Sequence, residues 1–101
     1  MKPEKALAAL AALAQESRLA VYLLLLEEEN GVIAGDIAAR LDIPLTTLSF
    51  HLNQLKHAGL VTSEKNGRFV IYHANRKKAK KLGQYITGKN TNEQKDKKYQ
   101  L

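Results

Sequence analysis

The side chains best placed for chemistry lie between Thr46 and Gln54, and at Lys65 and Arg68. The stretch TTLSFHLNQLKH can be wound as a helix at 100° per residue, with its core side centred on Leu48, Leu52 and Leu55. Thr46, Phe50, Asn53 and His57 then face away from that core, with Thr47, Ser49 and Gln54 on the flanks. Hydroxyls and carboxamides donate and accept, so this face can read base edges or hold phosphate oxygens. It has no carboxylate. An ordinary solvated helix face alternates Glu and Lys, whereas this one is polar, uncharged and carries a Phe. The competing reading is a neutral surface helix of a bundle.

Other chemistries find less material. Cysteine is absent, which excludes a disulfide, a thiolate metal site, a cysteine nucleophile and a thiol switch. His51 and His57 are six apart, whereas a shared metal on one helix needs a spacing of three or four. His73 lies farther along. No nucleophile–base set, phosphate-cradling Gly loop or paired carboxylates can be found. The chain is therefore expected to be no enzyme, with no catalytic residue, metal ligand or cofactor. His51 projects near the apolar edge, and its angle favours a structural role over a base contact.

These residues need a scaffold. Ile33 to Leu60 reads as a short helix with Ile37 and Leu41 on one face, a break at Asp42-Ile43-Pro44, and a second helix closed by Ala58-Gly59. Leu45, Leu48, Leu52 and Leu55 form the second helix's apolar stripe. Two helices joined by a short turn are the geometry of helix-turn-helix DNA readers. Ahead of them, Pro3 to Ala14 predicts an Ala-rich helix with Leu7, Leu10 and Leu13 in a narrow stripe. That stripe serves a subunit interface, the helix's own core, or both. Gln15-Glu16-Ser17 offers a cap, and RLAVYLLLL predicts the most buried helix, ending at Asn30-Gly31. Val32 can add a short strand.

After Gly59 the period changes. LVTSEKNGRFVIYHA predicts a hairpin with a type I′ turn at Asn66-Gly67, with Val61, Phe69 and Ile71 on one face. A hairpin after a reading helix is a wing. Lys65 and Arg68 flank its tip, where they can reach the DNA backbone or minor groove. Asn75 can cap a last helix in which Ala79, Leu82 and Ile86 recur, with Tyr85 beside them. That stripe needs a surface, which a partner subunit would supply. Five of the six residues from Arg76 to Lys81 are basic. The expected fold is thus mainly α with a small β-hairpin: a winged helix-turn-helix of five helices and a two-stranded wing. Residues 1–87 form the DNA-binding and dimerisation domain, and 88–101 a polar, basic, disordered tail.

At 101 residues the chain suits one domain, small enough that a second subunit helps bury apolar surface. Residues 1–39 hold three basic and six acidic side chains, residues 40–81 nine and two, and residues 82–101 four and two. The net +6 is thus concentrated from the reading helix through the segment after it, the footprint of a polyanionic partner. No apolar run is long enough to span a bilayer, and the start lacks a secretory pattern, so a cytoplasmic location is expected.

Side by side, these pieces resemble the ArsR/SmtB winged-helix repressors. LAQESRLAVYLLL (Leu13 to Leu25) resembles the family's opening Leu-Ala-x-x-x-Arg-Leu-x-Ile-Leu segment, with Arg18 and Leu19 in place. TTLSFHLNQLKHAGLV (Thr46 to Val61) resembles its recognition-helix signature, matching at Thr46, Ser49, His51, Leu52, Leu55, Ala58, Gly59, Leu60 and Val61. GRFVIYHA (Gly67 to Ala74) resembles its Gly-Arg-x-x-x-Tyr wing strand.

The resemblance implies a homodimer built from the first and last helices, with Leu7, Leu10, Leu13, Leu82, Tyr85 and Ile86 at the interface. It implies an imperfect inverted repeat in promoter DNA as the target. Thr46, Ser49 and Phe50 would be base-reading positions, with Thr47, Asn53 and Gln54 nearby. Phe50 departs from the often polar family position, cannot hydrogen-bond a base, and could touch a thymine methyl. The family's metal sites do not carry over. The stretch Val32 to Asp36 has no thiol, and the last helix has neither His nor carboxylate. The expectation is a metal-independent, dimeric, sequence-specific repressor whose effector the sequence does not name. The alternative is a winged-helix protein-interaction module that does not read DNA, for which the outward Phe50 speaks.

Overall fold

The computed structural model describes residues 1–89. The chain runs α1 (Pro3–Leu13), α2 (Glu16–Glu27), β1 (Val32–Ile33), α3 (Ala34–Leu41), α4 (Leu45–His57), β2 (Val61–Asn66), β3 (Phe69–Ala74) and α5 (Arg76–Thr87). The five helices appear as expected. The tail expected from residue 88 on lies almost wholly outside the described residues.

α1 begins with Pro3 in its first turn, where a missing N–H costs nothing. α2 is capped by Gln15, whose side-chain oxygen accepts from the Arg18 backbone N–H at 2.8 Å. The two helices meet at a bend of 102°. Val21, Tyr22, Leu24 and Leu25 of α2 are buried and form the middle of the core. Ala6, Ala9 and Ala12 of α1, Ile37 of α3, Leu48, Leu52 and Leu55 of α4, Leu60, Val61 and Leu82 join them. Leu19 and Leu23 stay exposed, so α2 is central on one side only.

The sheet has three strands in the order β1-β3-β2: the two strands of the wing and the short strand at Val32. Val32 pairs with Tyr72 and Ile33 with Ile71, so β1 covers the open edge of β3. The hairpin register differs from the expected one. Asn66 pairs with Phe69, so the loop is Gly67-Arg68, one residue later than expected. Of the two, only Gly67 has positive φ (65°), which suits glycine. Across a two-residue loop, paired positions have opposite parity. Val61 therefore sits opposite Ala74, on the face of Tyr72 and Val70, while Phe69 and Ile71 share the other face.

Asn75 locks the last helix to the rest. Its side-chain oxygen accepts from Lys78 N–H (3.1 Å) and its amide donates to Gly59 O (2.9 Å). Its backbone N–H donates to Leu60 O, and its carbonyl accepts from the Tyr22 hydroxyl. One side chain thus caps α5 and holds the end of α4.

Candidate nucleic-acid interface

α4 is aimed by what precedes it and by its own core stripe. α3 ends at Asp42 in the left-handed region (φ 53°), and Ile43 N–H donates back to Ala38 O at 3.0 Å. Pro44 then opens α4. Leu48, Leu52 and Leu55, none more than 1% exposed, fix the helix's rotation. Leu45 does not join them: it sits in the first turn and is 53% exposed. At the far end Gly59 (φ 76°) completes a Schellman closure, with Gly59 N–H on Lys56 O and Leu60 N–H on Leu55 O.

This rotation leaves Thr46, Thr47, Ser49, Phe50, Asn53 and Gln54 all exposed, the six reading positions named from the sequence. The side chains of Thr46, Thr47, Asn53 and Gln54 make no hydrogen bond to another described residue, so their donors and acceptors are available. Ser49 Oγ donates to Leu45 O at 3.0 Å and keeps its acceptor lone pairs outward. Lys56 lies beside this face and is tied to the sheet, its Nζ donating to Ser63 Oγ at 2.8 Å.

Lys65 and Arg68 are exposed at the wing tip, and neither has an ion-pair partner among the described residues. The Arg68 guanidinium lies 5.6 Å from the Phe69 ring centroid, within cation–π range. On the same wing His73 Nε2 meets Glu64 Oε1 at 2.8 Å, so one histidine is paired with the wing's own carboxylate.

His51 is 7% exposed. Its Nδ1 lies 3.5 Å from an Arg18 terminal nitrogen, and Arg18 Nε donates to Ala12 O at 2.7 Å. Burial, and then the Arg18 charge, hold the imidazole below its ordinary pKa. His51 thus acts as a neutral bridge, with Arg18, between the α1–α2 junction and the reading helix. Arg18 stood out in the sequence only through the motif match, and Asn75 only as a cap. Their wider contacts depend on residues distant in sequence. Between α1 and α4 a cleft of about 370 Å³ is lined by Ala8, Ala11, Ala12, Arg18, Gln54, His57 and Ala58. Among the described residues no three His, Cys, Asp or Glu side chains gather as metal ligands. No single helix there is long and apolar enough to cross a membrane.

The expected interface residues separate into two groups. Leu7, Leu10 and Ile86 are 54%, 40% and 60% exposed. Leu13 and Tyr85 pack against the core at its edge, and Leu82 is inside it at 7% exposure. Leu82 is therefore taken up by its own protomer. α5 presents it inward because the Asn75 cap fixes where the helix starts.

Residues 13–64 match a helix-turn-helix domain family model. The chain is 38% identical over 68 residues to the transcriptional activator HlyU of Vibrio cholerae, covering 67% of this chain and 61% of HlyU. A solved structure of that protein superposes with a TM-score of 0.69 at 31% identity, covering 85% of this chain and 97% of the other. An ArsR-like transcriptional regulator from Rhodococcus sp. RHA1 gives 0.74 at 28% identity, with 83% and 77% covered. A homodimeric winged helix-turn-helix DNA-binding domain from Mycobacterium bovis gives 0.71 at 26%, again with 83% and 77% covered. The matches to curated relatives span 45% to 61% of those proteins' lengths.

Proposed function

The chain belongs to the ArsR/SmtB family of winged helix-turn-helix transcriptional regulators, and on that premise we propose that it is a dimeric, sequence-specific DNA-binding repressor. The observation that carries this reading is the outward face of α4. Six side chains are exposed there with no carboxylate among them, and two cations without an ion-pair partner among the described residues stand on the wing. In this reading Thr46, Ser49 and Phe50 meet base edges, with Thr47, Asn53 and Gln54 beside them. Lys65 and Arg68 hold backbone phosphates. The positive charge concentrated in residues 40–81 makes binding fall steeply with salt.

Leu7 and Leu10 of α1, with Tyr85 and Ile86 of α5, supply the dimer face. α1 and α5 are in contact, so the proposed face draws on two neighbouring helices. A two-fold dimer reads an inverted repeat with half-sites about one helical turn apart. The protein acts in the cytoplasm and without a bound metal. The donor set supports the latter: there is no thiolate, and the three histidines are a buried bridge, a carboxylate-paired wing residue and an exposed helix residue.

The test is selection of bound duplexes from a randomised pool near physiological salt. An enriched inverted repeat is the expected result. A second reading has its own observation, since Phe50 is 56% exposed and suits a protein partner as well as DNA. Salt-insensitive retention by a protein, with no duplex enriched, would favour that reading.

A further inference from the structure

The major groove offers four patterns of donors and acceptors and one apolar feature, the C5 methyl of thymine. Five of the six outward positions of α4 carry hydrogen-bonding groups. The sixth, Phe50, has none and is 56% exposed, so the protomer does not cover it. Its ring is nevertheless held. It meets the His51 ring edge-to-face, with centroids 5.8 Å apart and planes at 64°. His51 is held by Arg18, and Arg18 by the Ala12 carbonyl. Thr46 and Thr47 lie one turn before Phe50 on the same side of the helix.

We propose that Phe50 reads a pyrimidine 5-methyl group in each half-site, thymine in unmodified DNA, and that His51 and Arg18 are its positioning residues. The inference rests on the DNA-reading function and specifies one letter of what is read. An aromatic ring against a methyl carries no hydrogen-bond information, so 5-methylcytosine presents the same group at the same place. Methylating a cytosine at that position therefore strengthens binding.

The experiment takes the duplex enriched by selection and replaces each thymine in turn by deoxyuridine, which removes only the methyl. At one position per half-site, affinity is expected to fall about fourfold, the worth of one buried carbon, and about fifteenfold when both half-sites are changed. In Phe50→Ala the thymine duplex binds more weakly and the thymine-to-uracil ratio at that position falls to one. In His51→Gln the ratio shrinks while circular dichroism and melting report a folded chain. A purely structural His51 would not move that ratio. Uracil tolerated at every position, by a protein that still binds the thymine duplex tightly, overturns the proposal and leaves DNA reading intact. So does a ratio that survives Phe50→Ala. If no duplex is bound at any salt, DNA reading falls and takes this inference with it.

Discussion

α1 and α4 both pack on α2, yet they sort their side chains in opposite ways. α4 buries Leu48, Leu52 and Leu55 and shows solvent mainly hydroxyls and amides. α1 buries Ala6, Ala9 and Ala12 and leaves Leu7 and Leu10 outside. The alanines let α1 approach the core closely but remove little apolar area from water. Each leucine left outside forgoes part of the roughly 1.5–3 kcal/mol that full burial gives. Apart from Leu45 and Phe50, the exposed side of α4 is comfortable in water and useful to a nucleic acid. The outward face of α1 is uncomfortable in water and calls for another protein surface.

The most severe test of this contrast is a pair of equal truncations. Leu55→Ala is expected to destabilise the protomer by about 2–5 kcal/mol in denaturant unfolding, because it opens a cavity in a closed core. Leu10→Ala is expected to act on the oligomer: its dimer dissociates at higher protein concentration than the wild type's, so the loss of unfolding midpoint varies with protein concentration. Equal, concentration-independent losses would erase the distinction. Glutamates at both Leu7 and Leu10 go further. The expected outcome is a monomer by sedimentation with helical circular dichroism retained. If helix content collapses as well, the leucines serve the protomer's own fold.

The contrast also explains what was legible in the sequence. α4 was readable because a 3.6-residue leucine stripe and its polar complement point the same way, and the motif from Thr46 to Val61 is contiguous. α1 was half readable. Leu7, Leu10 and Leu13 stand out by size, but nothing local says that the smaller alanines are the buried side. Leu82 shows the reverse problem: an interface-like stripe position is claimed by the core because a cap fixes the helix's start. The wing's faces depart from simple alternation because a two-residue loop pairs positions of opposite parity, so Val61 shares a face with Tyr72 and Val70 whether the turn falls at Asn66-Gly67 or Gly67-Arg68. Arg18, His51 and Asn75 act through contacts 33 or more residues apart or through distant carbonyls, which no local pattern records.

Substitutions on the open faces sharpen the α4 side. Thr46→Ala is expected to leave stability within about 0.5 kcal/mol, since the side chain is exposed and makes no hydrogen bond to another described residue. It should reduce discrimination at one base pair by about 1–3 kcal/mol, read by competition between matched and mismatched duplexes. Arg68→Ala should weaken all duplexes alike and lower the slope of log affinity against log salt by about one. If Arg68→Ala changes base preference and Thr46→Ala does not, the helix and the wing have exchanged roles.

The smallest effect expected is also the one that joins the two helices. His51 and Arg18 bridge α4 to the end of α1, and the imidazole is held below its ordinary value by burial and then by the Arg18 charge. In the unfolded chain His51 titrates near 6.5, so below that pH the unfolded chain takes up a proton that the folded one resists. Stability contributed by neutral His51 is therefore fully present above about pH 6.5 and is lost as pH falls toward the lowered folded value. Thermal melts between pH 7 and pH 5 should show a steeper loss for the wild type than for His51→Gln. Carboxylates contribute equally to both proteins and cancel in the comparison. A wild-type slope in His51→Gln would mean that the bridge tolerates a second positive charge beside Arg18. The joint between α1 and α4 would then be set by packing alone.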